Sequence, residues 1–325
     1  MKAIRATQAG DPSVLKIEDI PQPKPGPGEA LVRVHVAGVN FADIYYRSGS
    51  ARVPTPFPFT PGIEGAGVVE AVGEGVSEVK VGDRVAYAGG LGSYAEYQVF
   101  KATQLAPLPG EMSFENGAAV ILQGMTAHYL LHEFYPIKRG STVLVHAAAG
   151  GMGLLLVQWL KHMGAVAIGT VSTEAKAKIA REAGAEHVIN YTTQDFAEEA
   201  KKITGGKGVD YIIDGVGKTT FTRNFDALRN RGWATIFGMA SGPAEPVAPN
   251  SLMMKALTIS GGALFNFIVT REELLGRARD VFAGARDGWL KLHIDRTLPL
   301  AQAAEAHRLL ESRQTTGKLI LKTAG

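Results

Sequence analysis

Three glycines, Gly150, Gly151 and Gly153, stand between a short run of β-branched residues and a leucine-rich stretch. With Ala148 in place of a first glycine, their spacing fits G-x-G-x-x-G, in which one glycine admits a pyrophosphate and another lets a helix pack closely on a strand. The helix that follows would offer N–H groups and partial positive charge to phosphates. We therefore predict that this turn, Met152 included, binds a dinucleotide. A tight turn packed on a sheet is the alternative.

The choice between dinucleotides depends on a position about 20 residues further on, at the end of the second strand, where an acidic side chain would bind the ribose 2′-hydroxyl of NAD. Ser172 occupies that place, and Lys176 follows it. Hydroxyl and ammonium groups suit a 2′-phosphate, so we predict NADPH rather than NADH. Glu174 weakens this argument, and Lys176 has the alternative of a solvated helix residue beside Lys178 and Arg181.

A parallel sheet would bring these positions together, and the pattern after Thr142 predicts one. Short apolar runs alternate with helical stretches, which is typical of a doubly wound α/β fold that binds ligands at the carboxyl ends of its strands. The predicted strands are 143–145, 166–171, 187–190, 209–214 and 234–237. One predicted helix follows the glycine turn and ends at residue 163, and three others cover 174–183, 196–204 and 221–228.

The chain before about residue 108 has a different pattern. Apolar and basic residues alternate over 30–36, which predicts a β-rich domain, while the Pro-rich stretches 21–28 and 53–62 are predicted to be loops. Helices at 271–284 and 301–311 and a strand at 318–321 are predicted to return to this first domain.

Composition excludes several classes of protein. A length of 325 residues suggests two domains. With 34 Lys and Arg against 31 Asp and Glu, the net charge of +3 is too small for a dedicated nucleic-acid binder, so no nucleic-acid partner is predicted. The chain has no cysteine, which removes thiolate nucleophiles and sulfur-ligated zinc. No secretion signal or membrane insertion is predicted, and a cytoplasmic location is expected.

Five separated motifs occur in order along essentially the whole chain. They are Gly38-Val39-Asn40-Phe41-Ala42-Asp43, Pro61-Gly62-Ile63-Glu64-Gly65-Ala66-Gly67, Val81-Gly82-Asp83-Arg84-Val85, the glycine turn from His146 to Gly153, and Leu310-Glu311-Ser312-Arg313. Together they resemble the zeta-crystallin type of quinone oxidoreductase, in the medium-chain dehydrogenase/reductase superfamily. The resemblance implies a GroES-like β-rich catalytic domain over 1–122 and 262–325, a Rossmann NADPH-binding domain over 123–261, a cleft between the two domains, and a homodimer.

Zinc-dependent members of that superfamily carry a Gly-His-Glu signature that supplies a metal ligand. Here the corresponding stretch is Gly62-Ile63-Glu64, without histidine, so we predict a zinc-independent protein with no metal site. The remaining metal candidate is the pair His128 and His132, four residues apart on a predicted helix, although two ordinary helix histidines are the better interpretation.

The same resemblance places Asn40 and Tyr45 at the cleft and Asp43 close behind. Hydride transfer to a quinone needs little acid or base help, but negative charge that develops on a quinone oxygen requires a hydrogen-bond donor. We predict Asn40 as an amide donor toward substrate or nicotinamide, and Tyr45 as a phenolic donor or pocket wall. The alternatives are a helix N-cap for Asn40, core packing for Tyr45, and a first-turn helix residue rather than a proton donor for Asp43.

Further cofactor contacts follow from the resemblance. Thr126 would face the nicotinamide or the phosphates, Tyr191 would bind near the adenosine end, and Arg313 would reach the 2′-phosphate from the other domain. The alternatives are a helix-face threonine, a cap of the third strand and an exposed salt bridge, respectively. Val216, Phe237 and Gly238 follow predicted strands, at carboxyl ends where such sheets bind ligands.

This sequence departs from its relatives in two places. Many relatives have a tyrosine just after Ser-Gly, which enoyl-thioester reductases of the superfamily are thought to use as a proton donor, but residues 49–52 contain none. The other departure is Gly261-Gly262, where some relatives have Arg-Pro, and it affects how the nicotinamide carboxamide would be held.

The sequence therefore predicts an enzyme, an NADPH-dependent quinone oxidoreductase that transfers hydride to a small quinone in the interdomain cleft without a metal. An alkenal or enone double-bond reductase that uses the same site is the nearest alternative. A nucleotide-binding protein with a structural or RNA-binding role is the alternative from another class.

Overall fold

The computed structural model describes residues 1–51 and 54–323. Arg52 and Val53, which fall in the departure at 49–52 and in the predicted loop 53–62, lie outside the described residues. The chain divides into two compact units. Unit 1 comprises Met1–Met125, Ile268–Arg286 and Leu292–Gly325, and unit 2 comprises Thr126–Phe267 and Asp287–Lys291.

Fifteen strands occur in the described residues. In chain order they are β1 (Lys2–Ala6), β2 (Leu15–Asp19), β3 (Glu29–Val39), β4 (Glu64–Val72), β5 (Arg84–Ala88), β6 (Tyr97–Lys101), β7 (Ala106–Pro107), β8 (Thr142–Val145), β9 (Val166–Val171), β10 (His187–Asn190), β11 (Val209–Asp214), β12 (Leu228–Ile236), β13 (Thr258–Gly261), β14 (Ile294–Pro299) and β15 (Lys318–Lys322). The α-helices are α1 (Phe41–Ser48), α2 (Phe114–His132), α3 (Gly151–His162), α4 (Glu174–Ala183), α5 (Phe196–Ile203), α6 (Asn224–Ala227), α7 (Arg271–Arg286) and α8 (Ala303–Glu311).

Unit 2 is built on a six-stranded parallel sheet in the order β10-β9-β8-β11-β12-β13. Its strands are apolar because helices cover both faces of such a sheet. The helix signals read from the sequence are accurate for α4, where Thr173 accepts a hydrogen bond from the Lys176 N–H at its start and Gly184 ends it with a positive φ of 123°. The predicted doubly wound fold is confirmed.

One predicted helix of unit 2 is wrong. The helix expected over 221–228 is reduced to the single turn of α6, and β12 begins at once with Leu228. The physical reason lies in the side chains. Thr220 and Asn224 both donate to the Asp214 carboxylate, at 2.7 Å each, which ties the segment into turns before a longer helix forms.

Unit 1 contains a mainly antiparallel seven-stranded sheet in the order β14-β15-β3-β4-β5-β7, with β6 also paired to β3. The long strand β3 is central, and its inward-facing residues Ala30, Val32 and Val34 are fully buried. β15, the last strand of the chain, pairs with the end of β3, so that Leu319 lies opposite Val39. This pairing places the C-terminal strand beside the end of β3, which α1 follows.

No helix in the described ranges combines the length and the apolar composition that a membrane crossing requires.

Candidate functional site

The glycine turn lies at the carboxyl end of β8. Ala147 has a positive φ of 53°, and the Ala148 N–H donates to the carbonyl oxygen of Thr170, at the end of β9, over 3.0 Å. Ala148 replaces the first glycine of the fingerprint because its neighbour is small. A Cβ added to Gly169 of β9 would lie 2.6 Å from the Ala148 Cβ, so the glycine at position 169 leaves room for the Ala148 methyl group.

The two other fingerprint glycines have different surroundings. A Cβ on Gly153 would lie 2.5 Å from the Ala148 Cα, so helix α3 can approach the turn only without a side chain there. A Cβ on Gly150 would meet the Ala147 carbonyl oxygen at 3.3 Å and no other atom within 4 Å. Gly150 is the N-cap of α3 and has no side chain to occupy the helix N-terminus. The turn therefore presents an open cradle of backbone that fits a pyrophosphate.

A buried polar network that the sequence analysis missed supports this edge of the sheet. His146 follows β8, with its Nδ1 3.0 Å from the Thr170 hydroxyl and its Nε2 2.8 Å from the Asn224 Oδ1. The Asn224 Nδ2 donates to Asp214, so its Oδ1 must accept from the His146 Nε2–H. The network joins the ends of β8, β9 and β11. Polar residues at consecutive strand ends were the available signal.

Asp214 also organises the loop after β11. Its Oδ1 accepts the N–H groups of Val216 at 2.7 Å and Gly217 at 3.1 Å, and its carbonyl accepts the Phe237 N–H at 3.0 Å. A Cβ on Gly238 would lie 2.7 Å from the Gly215 carbonyl oxygen. The structure thus brings the predicted residues Val216, Phe237 and Gly238 together at the carboxyl edge, around Asp214.

The predicted 2′-phosphate residues lie at the ends of β9 and β10. The Tyr191 N–H donates to the Val171 carbonyl at 3.0 Å, which places Tyr191 next to the segment that starts with Ser172. The Tyr191 side chain is 47% exposed, whereas Ser172 and Lys176 are half-buried. Glu174 forms an ion pair with Arg181 at 2.7 Å. This pairing offsets the negative charge that weakened the argument for a 2′-phosphate.

Two further predicted cofactor residues lie in different units. Thr126 is buried in the part of α2 that belongs to unit 2. Arg313 is exposed in unit 1, one residue past the end cap of α8, and has a positive φ of 57°. Their roles stay predictions.

Asn40 is the N-cap of α1, and its backbone N–H donates to the Asp43 Oδ2 at 2.8 Å, so the N-cap interpretation of its position is confirmed. Its amide side chain is buried and makes other contacts. The Oδ1 accepts from the Lys318 Nζ at 2.6 Å and from Gln123 at 3.3 Å, and the Nδ2 donates to the Glu64 Oε2 at 2.8 Å. An N-cap position and a donor role are therefore compatible, because different atoms are used.

Asp43 is fully buried and stands at the end of a chain of hydrogen bonds in unit 1. Its Oδ2 accepts from the Tyr94 hydroxyl at 3.1 Å, and that hydroxyl oxygen lies 3.1 Å from the His307 Nε2. Arg47 donates to the His307 Nδ1 at 3.3 Å and pairs with Glu311 at 2.5 Å. Because arginine can only donate, His307 must carry its proton on Nε2 and donate to Tyr94. No local pattern in the sequence indicates this chain of contacts.

Burial sets the charge states of Asp43 and His307 in this series of hydrogen bonds. Loss of hydration raises the pKa of Asp43 to about 7, partly offset by the Asn40 N–H. Burial, helped by the nearby Arg47 charge, lowers the pKa of His307 to about 3. The Asp43 Oδ1 has no hydrogen-bond partner among the described residues. Asp43 therefore carries the features of both a first-turn helix residue and a proton-holding group.

Tyr45 lies in α1, two residues after Asp43, and is half-buried. Its ring centroid is 6.5 Å from that of Phe41, and its carbonyl accepts the Ala51 N–H at 3.0 Å. The contact with Phe41 favours a packing role, and the predicted donor role stays a prediction.

The rings of His128 and His132 lie 4.5 Å apart, and both pack edge-on against Trp159. Within residues 1–51 and 54–323, no three His, Asp or Glu side chains come together as a metal site would require. The prediction of metal-free chemistry rests on the ligand types in the sequence and stays a prediction.

Gly261 is the last residue of β13, and Gly262 follows it. The Tyr129 hydroxyl donates to the Gly262 carbonyl at 2.9 Å, and a Cβ on Gly262 would lie 2.8 Å from the Phe267 ring. Phe267 in turn stacks on Tyr129 with ring centroids 4.3 Å apart. The glycine therefore allows two aromatic rings to close over the strand end and fix it in place.

Comparisons with known proteins agree with this arrangement. Residues 151–278 match the zinc-binding dehydrogenase family, and residues 26–110 match the alcohol dehydrogenase GroES-like domain. The chain is 42% identical over 316 residues to quinone oxidoreductase 1 of Escherichia coli K12, with 96% of each chain covered. It is 41% identical over 322 residues to a 2-haloacrylate reductase of a Burkholderia species, again with 96% of each covered.

Among solved structures, Escherichia coli quinone oxidoreductase complexed with NADPH matches with a TM-score of 0.96 and 40% identity, covering 99% of this chain and 100% of that one. A GroES-like unit and a doubly wound sheet with a glycine turn define the medium-chain dehydrogenase/reductase class. Within that superfamily, the chain belongs to the quinone oxidoreductase family. The family resemblance and the fold class predicted from the sequence are thereby confirmed.

Proposed function

We propose that this protein is an NADPH-dependent oxidoreductase whose acceptor is a small quinone. The observation that carries the proposal is the open backbone cradle at Gly150, in a chain that matches an NADPH complex along almost its whole length. NADPH, when bound, supplies the hydride. The protein supplies binding groups, orientation and a site that excludes competing reactions.

The residues that would hold the cofactor occupy the carboxyl edge of the parallel sheet. The turn from Ala148 to Gly153 would bind the pyrophosphate, and Ser172, Lys176 and Tyr191 would bind the adenosine end with its 2′-phosphate. Thr126, Val216, Phe237 and Gly238 would line the remainder, and Arg313 would add a charge to the 2′-phosphate. The ion pair of Glu174 with Arg181 leaves a net positive balance on α4, which supports this assignment.

The groups that would act on the acceptor lie around the start of α1. Negative charge that develops on a quinone oxygen is stabilised by a preorganised donor, and the buried amide of Asn40 and the phenol of Tyr45 are the candidates. Asp43, with its raised pKa, can hold a proton near neutral pH. The chain lacks the cysteine and histidine ligands of its zinc-dependent relatives, so its own donor set offers no metal-polarised step.

A second candidate acceptor is supported by the 41% identity to a 2-haloacrylate reductase. An α,β-unsaturated carbonyl compound, like a quinone, is a conjugated electrophile, so the same donors would stabilise its developing enolate.

Loss of NADPH absorbance should be followed in parallel with 1,4-benzoquinone, 9,10-phenanthrenequinone, 2-hexenal and 2-chloroacrylate, with and without a chelator. We expect turnover of the two quinones to exceed that of 2-hexenal and 2-chloroacrylate by at least tenfold. The chelator should leave the turnover of the quinones unchanged. Faster turnover of 2-hexenal or 2-chloroacrylate would establish the double-bond reductase instead. No turnover with any acceptor, despite NADPH binding, would favour a nucleotide-binding role without catalysis.

The choice of NADPH over NADH has its own test. Lys176→Ala is expected to raise the KM for NADPH several-fold while leaving that for NADH nearly unchanged, because only NADPH carries the 2′-phosphate that the ammonium group would contact. Lys178→Ala, an exposed lysine of the same helix, is the matched control and should change neither value. Equal effects of Lys176→Ala on both cofactors would contradict the assignment.

We also propose a homodimer. β13 is the last strand of the parallel sheet, paired with β12 on one side, and the nearby Met254 is 91% exposed. An exposed strand edge is stabilised when a second copy covers it. Light scattering at micromolar concentration should give the mass of two chains, and the mass of one chain would refute the dimer.

A further inference from the structure

We infer that the buried ion pair between Glu64 and Lys318 sets the orientation of the Asn40 amide, which makes both charged residues positioning residues for the proposed donor. The inference rests on the proposed function, because the orientation of the amide affects turnover only if Asn40 is the donor. The orientation itself follows from the contacts and charges of unit 1 alone.

The three side chains form a closed triangle at the ends of neighbouring strands. The Lys318 Nζ lies 2.5 Å from the Glu64 Oε2 and 2.6 Å from the Asn40 Oδ1, and the Asn40 Nδ2 donates to the same Glu64 oxygen at 2.8 Å. The Lys318 and Glu64 side chains are 3% and 0% exposed. The triangle is therefore shielded from water. Electrostatic interactions are stronger in such a buried site than in water.

The chemistry of the two charged groups leaves the amide one orientation. An ammonium group can only donate and a carboxylate can only accept, so the amide oxygen must face Lys318 and the amide nitrogen must face Glu64. A flipped amide would place its oxygen against the carboxylate and its NH₂ against the ammonium. Among the described residues, Glu64 is the one acceptor for the Asn40 NH₂, so its second N–H is available as a donor.

The surrounding backbone is shaped to hold Glu64 in this place. The Glu64 Oε1 accepts the Leu122 N–H at 2.7 Å, while Oε2 fills the space beside Gly38 of β3. A Cβ on Gly38 would overlap that oxygen, so the glycine of the Gly38-Val39-Asn40 motif is needed for the carboxylate rather than for a turn. Gln123 adds a second, longer hydrogen bond to the Asn40 Oδ1 at 3.3 Å.

Stability alone does not explain why a charged pair is buried here. Desolvation offsets most of the attraction in a buried ion pair, and well-packed apolar replacements are often as stable. What an apolar pair cannot do is distinguish the two ends of an amide. The pair therefore acts on the orientation of Asn40, a function that packing does not supply.

The test is the neutral, similarly shaped double variant Glu64→Gln/Lys318→Met. The new amide at position 64 can pair with Asn40 in either orientation, so we expect kcat with 1,4-benzoquinone to fall about 10- to 100-fold while the NADPH Kd changes less than threefold. In the free protein, selectively ¹⁵N-labelled asparagine should show the Asn40 NH₂ as two sharp signals in the wild type and as exchange-broadened signals in the variant. Lys318→Arg, which keeps charge and donors, should retain both kcat and the sharp signals.

The matched control neutralises an exposed ion pair of the same sheet, between β3 and β4. Arg33 of β3 and Glu70 of β4 lie 3.5 Å apart and are 44% and 46% exposed, and Arg33→Met/Glu70→Gln should leave kcat and the Asn40 signals unchanged. If the double variant at the buried pair does not fold, Glu64→Gln/Lys318→Leu replaces it, which changes only the apolar side chain at position 318. Wild-type kcat together with sharp Asn40 signals in either variant would overturn the inference. Failure of the proposed function is distinguishable, because the wild type would then lack turnover while its Asn40 signals stayed sharp.

Discussion

Replacing Gly150 with alanine is expected to raise the NADPH Kd about 100-fold, equivalent to about 2.7 kcal/mol of binding free energy. The new methyl group would occupy the backbone cradle where the pyrophosphate is proposed to lie. The free energy of unfolding should change by less than about 1 kcal/mol, because the residue has an allowed φ of −80° and the methyl group meets a single atom of the protein. Isothermal titration calorimetry and urea unfolding measure the two quantities.

Gly153→Ala is the matched control for this variant. Its methyl group would collide with the backbone of Ala147 and Ala148, which cannot move away easily, so the expected loss of stability is about 3 kcal/mol. Gly150 should therefore affect mainly cofactor binding, and Gly153 should affect mainly packing and stability. An unchanged NADPH Kd in Gly150→Ala would mean that the turn is structural.

Asp43→Asn is expected to remove a pH dependence from the stability of the protein. The pKa of Asp43 is raised from 3.8 to about 7 in the folded state, so between these values the folded protein holds a proton that the unfolded chain has lost. The stabilising contribution of the bound proton is complete below pH 4 and is lost as the pH rises through about 7. The difference between these two pKa values corresponds to about 4 kcal/mol. Urea unfolding between pH 4 and pH 8 should show the wild type losing this amount relative to the variant.

Asp19→Asn is the control for that experiment. Asp19 is exposed, and its hydrogen bond with Lys2 lowers its pKa from 3.8, so above pH 5 it is ionised in both the folded and the unfolded chain. Its unfolding curves should follow the wild type from pH 5 to pH 8. Parallel pH dependences of the wild type and Asp43→Asn would show that the buried carboxyl does not hold a proton near neutrality.

Most of unit 2 was predictable because its signals are local. Thr173 and Gly184 mark the two ends of α4 within the sequence, and the β-branched run of β9 has the same bounds in the prediction and in the structure. The shortened α6 shows where local signals fail. The helical spacing over 221–228 does not indicate that the Asn224 side chain donates a hydrogen bond to Asp214, ten residues earlier in the sequence.

The candidate site was predicted in part, for the same reason. The glycine turn was visible as a pattern, but the compensation between Ala148 and Gly169 depends on two strands that meet only in the folded sheet. Asn40 was identified as a candidate donor from its motif. Its partner Lys318 lies 278 residues away, and only the pairing of β15 with β3 brings the two together. Contacts of this kind carry no signal in local spacing.

The central claim is that the turn from Ala148 to Gly153 binds the pyrophosphate of NADPH at the N-terminus of α3. A crystal structure of the protein with saturating NADPH tests it most directly. We expect the pyrophosphate against the Gly150 backbone and the 2′-phosphate within hydrogen-bond distance of Lys176. A cofactor bound elsewhere, or a turn that stays empty at saturating NADPH, would contradict the claim.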